Sequence, residues 1–385
     1  MESFIDFLKN NKTMAVSLVK LIHKYSLNLS NFEKIKIMNF CGTHEWTTVH
    51  YGLRSLMPDK IELVAGPGCP VCITPSFVIE DAVNLAIEGV RVYTFGDAYK
   101  LPVTNLKSKN RTLEEAKSNG GNVKVVYSFL EAVKDAKKYG KDSVFIGIGF
   151  ETTIPGYSLS FINNLVPKNL YFYSAIRLTP PAARFAIDIA VSRGLHPIQG
   201  IIAPGHVSAI IGLKPWDDIS REYKIPSVVS GFEPLDVLYS IAKILKMIKN
   251  EEYRAINEYT RVVEWEGNTR ALKTMYKVFH RENSVWRGIG IIPESGLEFN
   301  DEYRQFDGKN VFHLLNNKNS GKDLPPGCRC GEVTLGIIKP VECPLFMKTC
   351  KPERPYGPCM VSIEGACSIW AKFGSLRLRK NLIGE

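Results

Sequence analysis

The chain has 385 residues, of which 45% are hydrophobic and 23% are charged, a composition typical of a globular protein with two or three domains. Its net charge of +10 comes from 49 basic and 39 acidic residues, which are spread along the chain apart from the cluster RLRK at 377–380. The sequence has no recognised nucleic-acid-binding motif and no apolar run long enough to cross a bilayer. We therefore expect no nucleic-acid partner and no membrane insertion.

The N-terminal segment, residues 1–26, is predicted to form an amphipathic helix. Charged residues occur throughout it, while apolar residues such as Leu18 and Ile22 recur at helical spacing. Such a segment is unlike a secretory signal peptide, so we expect a cytoplasmic protein.

Short strands rich in β-branched residues then alternate with helical segments. The predicted strands are 34–40, 61–66, 90–95, 123–128, 143–149, 169–176, 198–204 and 225–231. The predicted helices between them include 75–88, 113–118, 182–193 and 234–246. This alternation predicts an α/β fold, in which helices cover the faces of parallel sheets.

The predicted strands are too many for one open sheet in this chain. We therefore predict two parallel-sheet α/β domains, at 27–149 and 150–249. Beyond them, two predicted helices at 251–264 and 268–281 lead into a segment rich in Pro, Gly and Cys. This segment buries little apolar surface by itself and needs an additional cross-link, which a metal centre would supply. We predict a third, helical and irregular domain at 250–385 that binds an iron–sulfur cluster and packs with the N-terminal helix.

Most predicted strands are followed directly by a motif that contains glycine, cysteine or a charged residue. These motifs are CGTHE (41–45), GPGCPVC (66–72), GD (96–97), GFETT (149–153), PGHVS (204–208) and GFEP (231–234). Because the carboxyl ends of parallel strands share one edge of a sheet, we expect the motif side chains to converge on one cleft. The candidate cleft residues are Cys41, His44, Glu45, Cys69, Cys72, Glu151, His206 and Glu233. In the alternative interpretation, the glycines form turns and the polar residues cap helices.

Cysteines occur in two groups, three between residues 41 and 72 and six between 328 and 367. Structural disulfides are not expected in the cytosol, so this clustering indicates metal or redox chemistry. Cys69 and Cys72 lie between a strand and a helix that we predict to have Thr74 as its N-cap and Pro75 at its first position. This context is typical of a redox dithiol, although a second use as metal ligands stays open.

The C-terminal group of six cysteines contains no histidine and does not match the paired C-x-x-C spacing of a zinc ribbon. An all-thiolate site suits either zinc or an iron–sulfur cluster. Cys-Pro dipeptides such as Cys343–Pro344 recur beside clusters, and on the residues alone we favour iron–sulfur over zinc.

The motifs together resemble those of the HypD family, which matures nickel–iron hydrogenases. The matching elements run in order from CGTHE to the segment that ends in EGAC (364–367), so the resemblance covers nearly the whole chain. It implies a redox-active scaffold, rather than a conventional turnover enzyme, for assembly of an Fe(CN)2CO unit. It also implies two partners, the small protein HypC and the cyanide donor HypE.

The family's cluster pattern, C-x14-C-x6-C-x16-C, is present here and implies a [4Fe-4S] cluster. The implied cluster ligands are Cys328, Cys343, Cys350 and Cys367. The resemblance further implies that the remaining thiols, Cys330 and Cys359, form a pair beside the cluster.

Under this resemblance, Cys41 is the candidate ligand for the transient iron with its cyanide and CO ligands. His44 is a candidate hydrogen-bond partner or general acid/base beside it. We expect electrons to pass from the cluster through Cys330 and Cys359 to Cys69 and Cys72, next to the iron. Two other functions remain open: a cluster-dependent thiol–disulfide oxidoreductase acting on protein disulfides, and an iron–sulfur module that binds nucleic acid.

Overall fold

A computed structural model describes residues 4–104, 108–314 and 323–374. The basic cluster at 377–380 lies outside the described residues. The chain is an α/β protein with two parallel sheets and one antiparallel hairpin, which confirms the predicted class. No helix among the described residues is long and apolar enough to cross a membrane.

The eight predicted strands are all present, with ends that differ by up to three residues from the predicted ones. The strands of the described residues are β1 (Ile35–Asn39), β2 (Ile61–Ala65), β3 (Arg91–Thr94), β4 (Val123–Val125), β5 (Ser143–Gly149), β6 (Leu170–Ile176), β7 (Ile198–Pro204), β8 (Ser227–Ser230), β9 (Ala255–Asn257), β10 (Phe279–Trp286) and β11 (Gly290–Phe299). The predicted helix at 251–264 is wrong, because this segment contributes β9, which pairs with the edge of a sheet that local sequence does not reveal.

Helices connect most of these strands. The α-helices of the described residues are α1 (Phe4–Leu27), α2 (Gly42–His50), α3 (Ser76–Ile87), α4 (Gly96–Tyr99), α5 (Leu113–Ser118), α6 (Phe129–Tyr139), α7 (Ile154–Ile162), α8 (Thr179–Ser192), α9 (Gly205–Ile211), α10 (Lys214–Tyr223), α11 (Pro234–Lys249), α12 (Thr269–Val278), α13 (Gly308–Val311), α14 (Cys330–Thr334), α15 (Pro358–Val361) and α16 (Ala366–Phe373). Short 3₁₀ turns occur at Leu53–Leu56, Asp301–Phe306 and Pro340–Glu342.

The two parallel sheets are interleaved along the chain. The first sheet has the order β2-β1-β7-β8-β9, and the second has the order β4-β3-β5-β6. Strand β1 therefore pairs with β7, far away in the sequence, and the sheets divide the chain differently from the predicted boundary at 149–150. Parallel strands that pair are joined by a long crossover connection rather than by a tight turn. The connection between β1 and β7 contains the whole second sheet.

The N-terminal helix packs on the first sheet. Ala15, Leu18 and Ile22 are buried against Val237 and Ile241 of α11. The apolar stripe of this helix is covered by the apolar face of α11, which precedes the predicted third domain at 250–385.

The hairpin of β10 and β11 packs on the second sheet, where Phe279 and Phe299 are buried against Phe172. The chain then enters the cysteine-rich segment, residues 323–374. Its buried side chains, among them Val333 and Ile369, share one core with α3. This packing places the C-terminal cysteines near the edge of the first sheet where the carboxyl ends of its strands lie.

Candidate functional site

Cys41 lies at the carboxyl end of β1, where it is the N-cap residue of α2. Its Sγ accepts a hydrogen bond from the Thr43 main-chain N–H at 3.2 Å, and the residue is only 4% exposed. Burial raises the pKa of the Cys41 thiol to about 11. Without a bound cation, this side chain is therefore a neutral thiol at pH 7, and a metal ion that binds it displaces a proton.

The GPGCPVC loop, which follows β2, rests directly on Cys41. A Cβ atom on Gly68 would lie 2.5 Å from the Cys41 main-chain nitrogen, so the loop needs glycine at this position. Cys69 and Cys72 form a disulfide, and they are 5% and 1% exposed. The sulfurs are thus held beside Cys41 and away from solvent.

The helix that follows this loop begins one residue later than predicted, at Ser76, with Pro75 as its N-cap. The prediction of Thr74 as N-cap is wrong, because its hydroxyl donates to the Pro70 carbonyl at 2.8 Å. Instead, the Asp323 carboxylate accepts from the Ser76 N–H at 2.7 Å. A residue from the cysteine-rich segment therefore supplies the cap, a contact that local sequence does not show.

One narrow cavity joins Cys41 to the disulfide. Its lining includes Cys41, Cys69, Cys72, Cys359 and Glu364. The structure thus brings together the cysteines of two strand-end motifs, as expected from the shared edge of a parallel sheet. It also adds two residues from the cysteine-rich segment.

His206, in the first turn of α9, is the histidine beside the Cys41 thiol. Its Nδ1 lies 3.9 Å from the Cys41 Sγ. Burial lowers the pKa of His206, while the nearby carboxyl groups of Glu364 and Glu151 oppose that change. The ring is therefore held largely neutral at pH 7 and is able to accept a proton.

Glu151 approaches the same site from the second sheet, just beyond the end of β5. Its carboxylate accepts from the Thr179 N–H at 2.6 Å and from the Thr179 hydroxyl at 2.8 Å. Burial raises the pKa of Glu151, and the nearby His206 partly opposes this. The carboxyl-end edges of both sheets therefore face one site.

Two further acidic residues at this site, Glu364 and Asp97, were missed by the sequence analysis. Burial raises the pKa of Glu364, with His206 lowering it and Asp97 raising it further. Ser362 links the two, since its hydroxyl donates to Asp97 at 3.3 Å and accepts from the Glu364 N–H at 3.2 Å. Asp97 lies in the GD motif and Glu364 in the EGAC motif, so these two motifs could have identified both acids from the sequence.

The His44 ring lies against the loop that follows β8 rather than against Cys41, although its main-chain N–H lowers the pKa of the Cys41 thiol. Its Nε2 donates to the Gly231 carbonyl at 2.7 Å, and its ring stacks on Phe232. Burial lowers the pKa of His44 to about 4, so the ring is neutral. Among the described residues its Nδ1 has no hydrogen-bond partner. In this structure His44 braces the loop between β8 and α11, and His206 takes the position beside Cys41.

The two remaining glutamates have different positions. Glu45 is buried and accepts hydrogen bonds from Asn39, Arg54 and the Trp370 indole, so it ties α2 to α16. Glu233 is exposed at the N-cap of α11, where its N–H donates to Asp236 at 3.1 Å. The alternative interpretation, in which polar motif residues brace turns and caps, fits both of them.

The C-terminal cysteines line a second cavity. Its sulfur-bearing residues are Cys328, Cys330, Cys343, Cys350, Cys359 and Cys367. Among the described residues, no group of three or more His, Cys, Asp or Glu side chains is placed so that it could hold a metal ion.

The sulfurs of this cavity are close to one another and to main-chain donors. Cys350 accepts from the Tyr356 N–H at 3.4 Å and the Gly357 N–H at 3.5 Å. The nearby Cys359 thiol and burial raise the pKa of Cys330. Cys359 lines both cavities and therefore lies between the six-cysteine cavity and the disulfide.

The known proteins that this chain is similar to have names that refer to hydrogenase formation or maturation. A sequence model of the HypD family, described as the hydrogenase formation hypA family, matches residues 13–374. The chain is 40% identical over 357 residues to a protein of Methanocaldococcus jannaschii whose name assigns it provisionally to hydrogenase expression and formation, covering 92% of this chain and 96% of that protein. It is 35% identical to the hydrogenase maturation factor HypD of Cupriavidus necator, covering 90% and 91% of the two chains. It is also 35% identical to the Escherichia coli factor of the same name, covering 88% and 89%.

Proposed function

The chain belongs to the HypD family of hydrogenase maturation factors, and we propose that it is a scaffold for assembling the Fe(CN)2CO unit of a nickel–iron hydrogenase. One observation carries this proposal. The Cys41 thiol and the Cys69–Cys72 disulfide line a common buried cavity, and Cys359 connects it to the six-cysteine cavity. A thiol that can bind iron, a redox-active pair and a sulfur-rich site are therefore contiguous.

In this proposal, Cys41 binds the iron that is being assembled. Thiolate is a soft donor and suits an iron that carries cyanide and CO. Binding displaces the thiol proton, and the His206 ring at 3.9 Å is the nearest base to accept it. Glu364 lies next to both and stabilises the protonated ring.

The proposed ligands of a [4Fe-4S] cluster are Cys328, Cys343, Cys350 and Cys367. The fit rests on an all-sulfur donor set in one cavity and on the main-chain N–H groups that point at Cys350. Each of these four cysteines would supply one thiolate to the cluster. When bound, such a cluster supplies electrons one at a time.

Cys330 and Cys359 are the proposed relay between the cluster site and the disulfide. Reducing the Cys69–Cys72 disulfide to two thiols takes two electrons and two protons, which the Cys330–Cys359 dithiol supplies by becoming a disulfide itself. Its return to the dithiol takes two electrons and two protons again. The electrons come singly from an external one-electron donor protein, and the protons come from solvent.

The partners proposed for this scaffold are HypC, as a second component of the iron site, and HypE, as the cyanide donor. The alternative of a thiol–disulfide oxidoreductase acting on other proteins is less well supported. A protein disulfide has to reach the attacking sulfur, and both Cys69 and Cys72 are buried.

Infrared spectroscopy of the protein purified with HypC tests the proposal. We expect cyanide and CO stretching bands that disappear in Cys41→Ser. A matched control is Thr48→Ser, which alters a buried side chain of the same helix outside the cavity and is expected to retain the bands. A complex that supports hydrogenase maturation without these bands contradicts the scaffold function.

A further inference from the structure

A buried arginine, Arg287, lies at the turn between β10 and β11, against the cysteine-rich segment. It is 1% exposed. Its Nε donates to the Asp323 carbonyl at 3.0 Å, and its Nη2 donates to the Pro102 carbonyl at 2.7 Å. Among the described residues, its Nη1 has no hydrogen-bond partner. The guanidinium is therefore fixed in place mainly by main-chain oxygens, which carry no net charge.

The acidic side chain that acts on Arg287 electrostatically is Asp323, but its carboxylate makes no hydrogen bond to the guanidinium among the described residues. Its Oδ1 accepts from the Ser76 N–H at the start of α3. Its Oδ2 has no partner among the described residues, and burial raises the pKa of Asp323 to about 6. A buried cation normally requires a closely paired anion, because desolvation of an unpaired charge is costly. Arg287 thus has unused capacity to compensate negative charge.

The main chain of the cysteine-rich segment contacts the main chain of the turn between β10 and β11. A Cβ atom on Gly331 would lie 2.0 Å from the Gly288 carbonyl oxygen, so only glycine lets α14 rest on the residue that follows Arg287. Helix α14 begins at Cys330. This packing brings Arg287 within electrostatic reach of the Cys330 and Cys328 sulfurs.

We propose that Arg287 is the buried counter-charge of the iron–sulfur cluster and that it raises the cluster's reduction potential. The inference rests on the proposed function, which assigns the cluster to this cavity. A cluster with four thiolate ligands carries net negative charge, and reduction adds one more negative charge. A fixed positive charge nearby therefore stabilises the reduced form more than the oxidised form, since net charge near a cluster sets its potential.

A second buried arginine, which follows β6 and contacts the same hairpin, provides a matched control. Arg177 is 5% exposed, and its Nε and Nη2 donate to the Val285 carbonyl of β10 at 3.1 and 2.7 Å. Burial lowers the pKa of Arg177 to about 10, and the charged groups that oppose this are Glu298, Tyr173 and Asp323 rather than a cysteine. Arg177 and Arg287 are thus both buried and held by main-chain carbonyls, but the Cys330 and Cys328 sulfurs act electrostatically only on Arg287 among these two.

The test is a potentiometric titration of the full-length protein under anaerobic conditions, with visible absorbance and electron paramagnetic resonance reporting the cluster. In Arg287→Gln we expect the ratio of reduced to oxidised cluster at a fixed potential to fall about tenfold, which is about 59 mV for a one-electron couple. Arg287→Lys, which keeps the charge, is expected to stay within about threefold of the wild type. Arg177→Gln is expected to leave the midpoint unchanged.

Three results overturn the inference: an unshifted midpoint in Arg287→Gln, an equal shift in Arg287→Lys, or an equal shift in Arg177→Gln. If Arg287→Gln loses the cluster entirely, the two other variants decide. A normal potential in Arg287→Lys supports the counter-charge, and loss of the cluster there contradicts it. A wild-type protein without a cluster contradicts the proposed function and this inference with it, whereas a wild-type cluster with an unshifted Arg287→Gln midpoint contradicts this inference alone.

Discussion

The two sulfur-bearing regions of this protein are stabilised in opposite ways. Cys41 lies two residues beyond Asn39, which pairs with Ala65 on one side and with Ile202 on the other, so the centre of a parallel sheet fixes the position of Cys41. The cysteine-rich segment, in contrast, contains only the short helices α14, α15 and α16, of five, four and eight residues. In the first region the scaffold positions the sulfur. In the second, we infer that the sulfurs and their metal hold the scaffold together.

The largest expected effect is the loss of the proposed cluster. In Cys343→Ser we expect amide hydrogen exchange across residues 323–374 to accelerate at least about 1000-fold, which corresponds to about 4 kcal/mol, while β1 and β7 keep their protection. Cys41→Ser is expected to change neither region. Mass spectrometry of the exchanging peptides measures both regions in one experiment. Equal protection of the cysteine-rich segment from amide exchange with and without iron contradicts the idea that a metal stabilises this segment.

Acid sensitivity of the strand-end region is the next largest effect. Burial lowers the pKa of His44 from its ordinary 6.5 to about 4, with the nearby His206 adding to the change. The unfolded chain therefore binds a proton that the folded chain rejects. The stabilisation is complete above pH 6.5 and is lost as pH falls towards 4, amounting to about 3 kcal/mol.

Urea unfolding of iron-free protein between pH 7 and pH 4 measures this loss. His44→Gln is expected to have a flatter stability profile over that range than the wild type, because it removes the titrating ring. Parallel profiles for the two proteins contradict the assignment of the acid sensitivity to His44.

Substitution of Glu45 tests the contact between α2, which follows Cys41, and α16 of the cysteine-rich segment. Its carboxylate pairs with Arg54 at 2.8 Å and accepts from the Trp370 indole of α16. Glu45→Gln is expected to lower the free energy of unfolding by about 2 kcal/mol, since it leaves a partly buried arginine without its anion. The surface pair of Arg184 and Glu222 is the control, and Glu222→Gln is expected to cost less than about 1 kcal/mol. Similar losses in both variants contradict a special role for the Glu45 contact.

The smallest predicted effect concerns the indole alone. Trp370→Phe removes the hydrogen bond to Glu45 while keeping most of the buried ring, and it is expected to cost about 1 kcal/mol. In a double-mutant cycle with Glu45→Gln the two losses are expected to be non-additive, because the residues share one contact. Strictly additive losses indicate that α16 and α2 are held together by packing rather than by this bond.

Much of the local structure follows from the sequence. Runs of β-branched residues identify eight of the nine strands of the two parallel sheets. The strand-end motifs identify Cys41, Cys69, Cys72 and His206 as residues of one edge. The predicted helix at 251–264 and the predicted N-cap at Thr74 fail because tertiary partners decide both positions. In one case the partner is the edge strand β8, and in the other it is the Asp323 carboxylate.

The sequence by itself therefore determined the element types, the spacing of the cysteines and, through its motifs, the family. Only the tertiary structure decided that β1 pairs with β7, and this pairing sets His206, 165 residues away in the chain, beside Cys41 in place of His44. It also decided that Glu364 enters the cavity and that Arg287 faces the cysteine-rich segment. Local patterns specify which face of an element is apolar, whereas the choice of partner depends on contacts between segments that are distant in the chain, and spacing along the sequence does not record these contacts.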